Sequence, residues 1–180
     1  SLAGPVTTCL VHWTPVISAW PSDLRDSKLV PENRRQSLAE DLRQIFPKFA
    51  IASNSAKHID KHGIQQSLAL AVIDGLSSLS SQGIDLTSAV LLLDGSHDFV
   101  SPYLSENLPV IPRPKADERC VSVAAASVMA KAQRDTEMKD HDLVHPQYGF
   151  ASNKGYGSPA HRRAIEKYGL TELHRVTWIR

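Results

Sequence analysis

At 180 residues, 42% hydrophobic and 22% charged, the chain has the size and balance of one globular domain. It contains no apolar run long enough to cross a bilayer as a helix, and its two cysteines, Cys9 and Cys120, exclude a disulfide framework. A net charge of +1 means that whole-chain electrostatics do not announce a nucleic-acid partner.

The elements follow in chain order. Residues 1–6 lack an initiator Met and the basic-then-apolar layout of a signal peptide, and the unpaired cysteines suit a reducing cytoplasm. Residues 5–13 are rich in β-branched and aromatic side chains and predict a strand. Leu38, Leu42 and Ile45 recur at helical spacing, so residues 31–46 predict a helix stopped by Pro47. Residues 49–52 predict a second strand. A long helix follows from Ile59-Asp60 to about Leu79, with Leu68, Val72 and Leu76 on its stripe.

Residues 89–93 form an unbroken apolar run ending in Asp94-Gly95, which predicts a fully buried strand. A buried, ionised Asp94 calls for a compensating cation, whereas an Asp-Gly pair also makes an ordinary turn. The stretch alone leaves turn and site equally open. A long loop runs from Gly95 to Val110, and residues 110–115, with Pro112 and Pro114, predict an edge strand. Residues 121–140 predict a helix that starts on small side chains suited to close packing. After a turn at 145–150 and a glycine-flanked loop at 153–157, Ser158-Pro159 opens a helix to Tyr168 that Gly169 stops. The alternation of strands and helices predicts a single α/β domain over residues 1–180.

Asp94 and Asp117 each follow a predicted strand, and two carboxylates at neighbouring strand ends suit Mg²⁺. A complete site needs a further acid, for which Asp85, Asp98, Glu118 and Asp135 are candidates. His141 and His145 flank a proline turn and find no third ligand, which argues against zinc. Nucleophile-elbow and phosphate-loop motifs are absent. In Lys154-Gly155-Tyr156-Gly157, the Tyr156 ring is either a face for a sugar or base or a core side chain on a tight turn. From residue 151 to 180, Lys154, Arg162, Arg163, Lys167, Arg175 and Arg180 outweigh Glu166 and Glu172, and His161 and His174 could add to them. This section suits either an anionic partner or a solvated helix face.

Several of these stretches fall together in one order. They are Leu2-Ala3-Gly4-Pro5-Val6, Asp26-Ser27-Lys28, Ile59-Asp60, Asp94-Gly95, and the block Ala124-Ala125-Ala126-Ser127-Val128-Met129-Ala130-Lys131 with Arg134-Asp135. His145-Pro146-Gln147-Tyr148-Gly149-Phe150, Asn153-Lys154-Gly155-Tyr156-Gly157, His161 and Leu173-His174-Arg175 follow. In these the chain resembles bacterial ribonuclease HII along essentially its whole length. The resemblance implies a ribonuclease H-like mixed β-sheet flanked by helices, with extra C-terminal helices. It also implies an endonuclease that cuts the RNA strand of RNA–DNA hybrids and nicks 5′ of single ribonucleotides in duplex DNA.

By the same resemblance, Asp94 and Asp117 are the third and fourth of four acidic residues holding two Mg²⁺ or Mn²⁺ ions. Tyr156 stacks on the deoxyribose at the RNA–DNA junction, Lys154 and Lys28 contact nucleic acid, and Asp135 has a supporting role. The expected protein is a cytoplasmic monomer without a membrane span. The family's Asp-Glu-x-Gly-Arg-Gly motif precedes the Leu-Ala-Gly-Pro-Val segment, so the first strand and two of the acids are expected to be missing here. The 180-residue chain is accordingly expected to cleave poorly or not at all. A non-catalytic binder of hybrid duplexes is the alternative expectation.

Overall fold

The structure, a computed structural model, describes residues 1–179 except Pro15, Arg25, Asp26 and Glu106. Asp26 of the Asp-Ser-Lys motif and Arg180 of the basic section therefore lie outside the described residues. Strand β1 (Val6–Val11) pairs antiparallel with β2 (Phe49–Asn54), Val6 opposite Asn54 and Val11 opposite Phe49. Strand β3 (Leu91–Asp94) pairs parallel with β4 (Val110–Arg113), and Asp94 faces Arg113. Helix α1 (Glu32–Ile45) connects β1 to β2, and α2 (Ala56–His62) and α3 (Ile64–Ser81) lie between the two ribbons in sequence. Helices α4 (Ala116–Arg119), α5 (Val121–Val144), α6 (Phe150–Asn153) and α7 (Pro159–Tyr168) follow.

The alternation of β1 explains the layering. Cys9 and Val11 point to one face, where they join Leu38, Leu42 and Phe46 from α1 and its end and Val128 and Met129 of α5. Leu10 points to the other face, against Val72, Leu76 and Leu79 of α3 and Leu93 of β3. Each fully buried Leu of this kind contributes roughly 2 kcal/mol of apolar burial. Gly75 of α3 lies so close to β1 that a Cβ there would sit 2.7 Å from Leu10 Cδ1. A third cluster, Ala3, Met138, Tyr148, Phe150 and Ala164, ties the N-terminal residues to α5 and the C-terminal elements. Among the described residues no helix is long and apolar enough to cross a membrane.

Several sequence expectations change. The predicted 59–79 helix is two helices, broken at Gly63, whose φ of +79° no helix accommodates. The strand expected at 89–93 begins at Leu91, Leu91 and Leu92 are only half-buried, and Asp94 is exposed, so it is not a fully buried strand. The 95–110 loop is tied into the core by buried Val100 and Leu108 and contains a 3-10 turn, Ser101–Tyr103. The 110–115 segment leaves the ladder at Arg113, and α5 continues past residue 140 to Val144.

Candidate active site

Asp94 and Asp117 are brought together by a backbone contact. Asp94 ends β3, and its Oδ1 accepts a hydrogen bond from the N–H of Ala116 at 2.9 Å, one residue before Asp117. Lys115 makes the turn into α4 with a left-handed φ of +57°, which aims that N–H at the strand end. Asp94 Oδ2 takes no hydrogen bond from the described residues, whereas Asp117 is 7% exposed. Two neighbouring carboxylates, one presenting an open oxygen, are the donor type that hard dications such as Mg²⁺ and Mn²⁺ favour.

The pair is an incomplete cage. Among the described residues no three His, Cys, Asp or Glu side chains gather to hold a metal ion. The candidate third acids are engaged elsewhere. Asp85 accepts from Thr87 and Ser88, Asp98 from Val100 and Ser101, and Glu118 pairs with Lys115.

Asp135 lies buried on α5 between Arg35 and Lys131, both at 2.5 Å. Arg35 passes this anchorage on by donating to the carbonyls of Ser27 and Val30, while the Ser27 and Ser127 hydroxyls meet at 2.9 Å. The turn at 27–30 is thereby clamped to α1 and α5, and Lys28 is held outward on it, exposed.

Tyr156 is a surface side chain, 56% exposed, and not the core tyrosine that the sequence left open. Its backbone is pinned from both sides. Its N–H donates to the Asn153 carbonyl at 2.8 Å, and its carbonyl accepts from the Ser158 N–H at 2.8 Å. The Arg134 guanidinium lies 5.9 Å from the ring centroid, within cation–π range. Arg134 and Arg175 both donate to carbonyls of residues 3–5. Burial and the neighbouring Arg134 pull the Arg175 guanidinium down to about 10.

Lys154 is placed differently from its neighbour. It is 6% exposed, its ammonium pairs with Glu32 at 2.8 Å, and it also reaches the Ala151 carbonyl. The hydrogen bond from Lys154 holds the Glu32 carboxyl below its usual range. Among the basic residues of the C-terminal section, Arg162, Arg163 and Lys167 are exposed, whereas Lys154 and Arg175 are buried. His161 and His174 are buried too, and add no surface charge.

The Ala116 N–H carries no motif that marks it in the sequence, and although Arg134, His161 and His174 fall in the stretches that carry the resemblance, it assigns them no role there. One signal was available: His161 and Ala164 are three apart on α7, which is the spacing of a buried helix face.

The family profile of Ribonuclease HII matches residues 1–180. The Ribonuclease HII of Streptomyces avermitilis is 39% identical over 177 residues, covering 98% of this chain and 71% of the relative. That of Thermus thermophilus is 36% identical over 175 residues, covering 96% of this chain and 78% of the relative. The crystal structure of the ribonuclease H2 from Pyrococcus horikoshii superposes with a TM-score of 0.74 at 22% identity, over 98% of this chain and 88% of that one. Bst-RNase HIII in complex with Mn²⁺ superposes at 0.69 with 20% identity, over 98% of this chain and 62% of that one. These likenesses establish the ribonuclease H-like α/β fold. With the profile spanning every residue and relatives of this identity covered over most of their length, the chain belongs to the ribonuclease HII family of endoribonucleases.

Proposed function

We propose that this protein hydrolyses the RNA strand of RNA–DNA hybrids and nicks 5′ of single ribonucleotides in duplex DNA, with two Mg²⁺ or Mn²⁺ ions. The observation that carries the reading is the juxtaposition of Asp94 and Asp117 through the Ala116 N–H, in a chain of this family. Asp94, through its open Oδ2, and Asp117 hold the ions, and the family's Asp-Glu pair is needed to complete the set. When bound, the ions neutralise charge at the scissile phosphate and acidify the attacking water.

The protein's own groups set the substrate. The Ala116 N–H fixes the Asp94 carboxylate so that one oxygen faces outward. The Tyr156 ring packs on the deoxyribose at the junction, where RNA and DNA differ by the 2′-OH. Lys28, on its clamped turn, contacts backbone phosphate, and Asp135 serves it by holding Arg35. Lys154, paired with Glu32, supports the Tyr156 loop from within. The protein acts as a monomer in the cytoplasm, with residues 1–180 as a single domain.

The test uses a duplex carrying one ribonucleotide, with Mn²⁺. The 180-residue polypeptide is expected to cut it slowly or not at all, and salt-sensitive binding without any metal-dependent cutting by the N-terminally extended protein would favour a non-catalytic binder. In a version extended N-terminally through the Asp-Glu pair, Asp94→Asn should abolish turnover while leaving duplex affinity within a few-fold. Unchanged turnover would sink the assignment.

A further inference from the structure

His161 and His174 stand apart from the chemistry above, yet they are among the most completely buried polar side chains of the molecule, at 0% and 2% exposure. They pack against the third core cluster, edge-on to its Tyr148 and Phe150. Their Nε2 atoms meet at 3.2 Å, so one must carry a hydrogen and the other a lone pair. The surroundings decide which. His174 Nδ1 faces the Thr171 N–H at 2.9 Å, and a backbone N–H can only donate, so this nitrogen is an acceptor. The Thr171 hydroxyl, which accepts from the Leu173 N–H, is free to donate to the same nitrogen at 3.0 Å.

A neutral His174 therefore carries its hydrogen on Nε2 and gives it to His161 Nε2. His161 in turn carries its hydrogen on Nδ1, which faces the Tyr156 carbonyl at 2.8 Å, a group that can only accept. Every group in the line has one role, and the roles agree: Thr171 N–H to His174, His174 to His161, His161 to Tyr156. Adding a proton to either ring would set two donors against each other. Burial, and for His174 the neighbouring His161, hold both rings below the usual imidazole range, in keeping with a neutral pair.

We propose that His174 and His161 are positioning residues for substrate recognition, a one-directional hydrogen-bond relay from the C-terminal segment that fixes the Tyr156 backbone and so the exposed ring. This rests on Tyr156 as the duplex-reading side chain. The relay acts on Tyr156 from beneath, through its carbonyl. It touches neither substrate nor Asp94 and Asp117, so its loss should weaken binding and leave the catalytic step alone.

Two measurements test it. In nitrogen-15 imidazole NMR of the protein at pH 7, His174 should show its hydrogen on Nε2 and His161 on Nδ1; either ring in the other tautomer or charged overturns the relay. Affinity for a duplex carrying one ribonucleotide, read by fluorescence anisotropy, supplies the functional arm. Tyr156→Ala should weaken binding about tenfold, the size of one lost stacking contact. His174→Phe keeps the ring packing but removes the donor, and should approach the same loss. His174→Gln restores a donor toward His161 and should recover most of it. In a Tyr156→Ala background, His174→Phe should cost nothing more.

If Tyr156→Ala binds like the parent, the reading of Tyr156 itself fails and the relay's purpose fails with it. If Tyr156→Ala weakens binding but His174→Phe does not, or weakens it equally in both backgrounds, the relay alone is overturned and the histidines are only core packing.

Discussion

Gly155 shows how much of the Tyr156 loop depends on one missing side chain. Its φ is +78°, and its carbonyl accepts hydrogen bonds from the N–H groups of Leu2 and Ala3 at 2.7 and 3.1 Å. A Cβ at this position would run into the Ala3 carbonyl and crowd Met138 Cε at 3.3 Å. Gly155→Ala should therefore cost about 3 kcal/mol of stability, from backbone strain and overpacking together. Urea denaturation measures it, and a loss below about 1 kcal/mol would show that residues 2–3 slide away at little cost. The glycines and Tyr156 were legible in the sequence as a tight loop. Which of its side chains faces water was not, because burial of Lys154 is decided by Glu32, 122 residues away. The apolar run ending in Asp94-Gly95 was legible as a strand end, though the stretch alone did not separate a turn from a site. The Ala116 N–H that holds the Asp94 carboxylate is a backbone group that no motif encodes.

At the level of elements, α7 divides cleanly into two faces. His161 and Ala164 are buried, while Arg162, Arg163 and Lys167 project outward. If these three neutralise phosphates, replacing all of them by Gln should lower the slope of log affinity against log salt by between about 1 and 3. Anisotropy titrations at several salt concentrations give the slope; an unchanged value would place the duplex on another face. Periodicity made most elements readable in sequence. The alternation in β1 and the spacing of Leu38 and Leu42 in α1 each match a buried face in the structure. The break between α2 and α3 was missed because Gly63 sits inside an otherwise helical pattern, and only its positive φ turns the chain there. The start of β3 was set too early because Val90, apolar but 56% exposed, looks in sequence like a core residue.

For the molecule as a whole, the buried imidazoles couple stability to pH. In the folded protein burial and His161 hold His174 at about 4, against 6.5 when unfolded. The unfolded chain thus binds a proton that the folded one refuses, so stability falls as pH drops below about 6.5 and this decline ends near 4. The loss should reach about 2 kcal/mol by pH 5, with His161 adding in the same direction. Glu32, whose carboxyl is held low, keeps its contribution at pH 5 and begins to lose it only as pH falls below the unfolded value of 4.5. Unfolding free energies at pH 7 and pH 5 decide the matter; equal values would mean that the cluster admits the extra proton freely. Sequence periodicity could not reveal this coupling, since it depends on rings from α7 and the C-terminal segment meeting in space.

The two ends of the chain are woven together at the Tyr156 loop. Ala3 bridges to His174, the Arg175 N–H donates to the Leu2 carbonyl at 2.8 Å, and the Arg175 side chain grips Gly4 and Pro5. Closing some 170 residues of open chain costs roughly 4 to 5 kcal/mol in loop entropy, which consumes most of what these few hydrogen bonds return. The intervening helices must fold first and shorten the loop before this contact is worth making. The Tyr156 loop therefore gains its support from residues 2–5 only after the helices between them have formed.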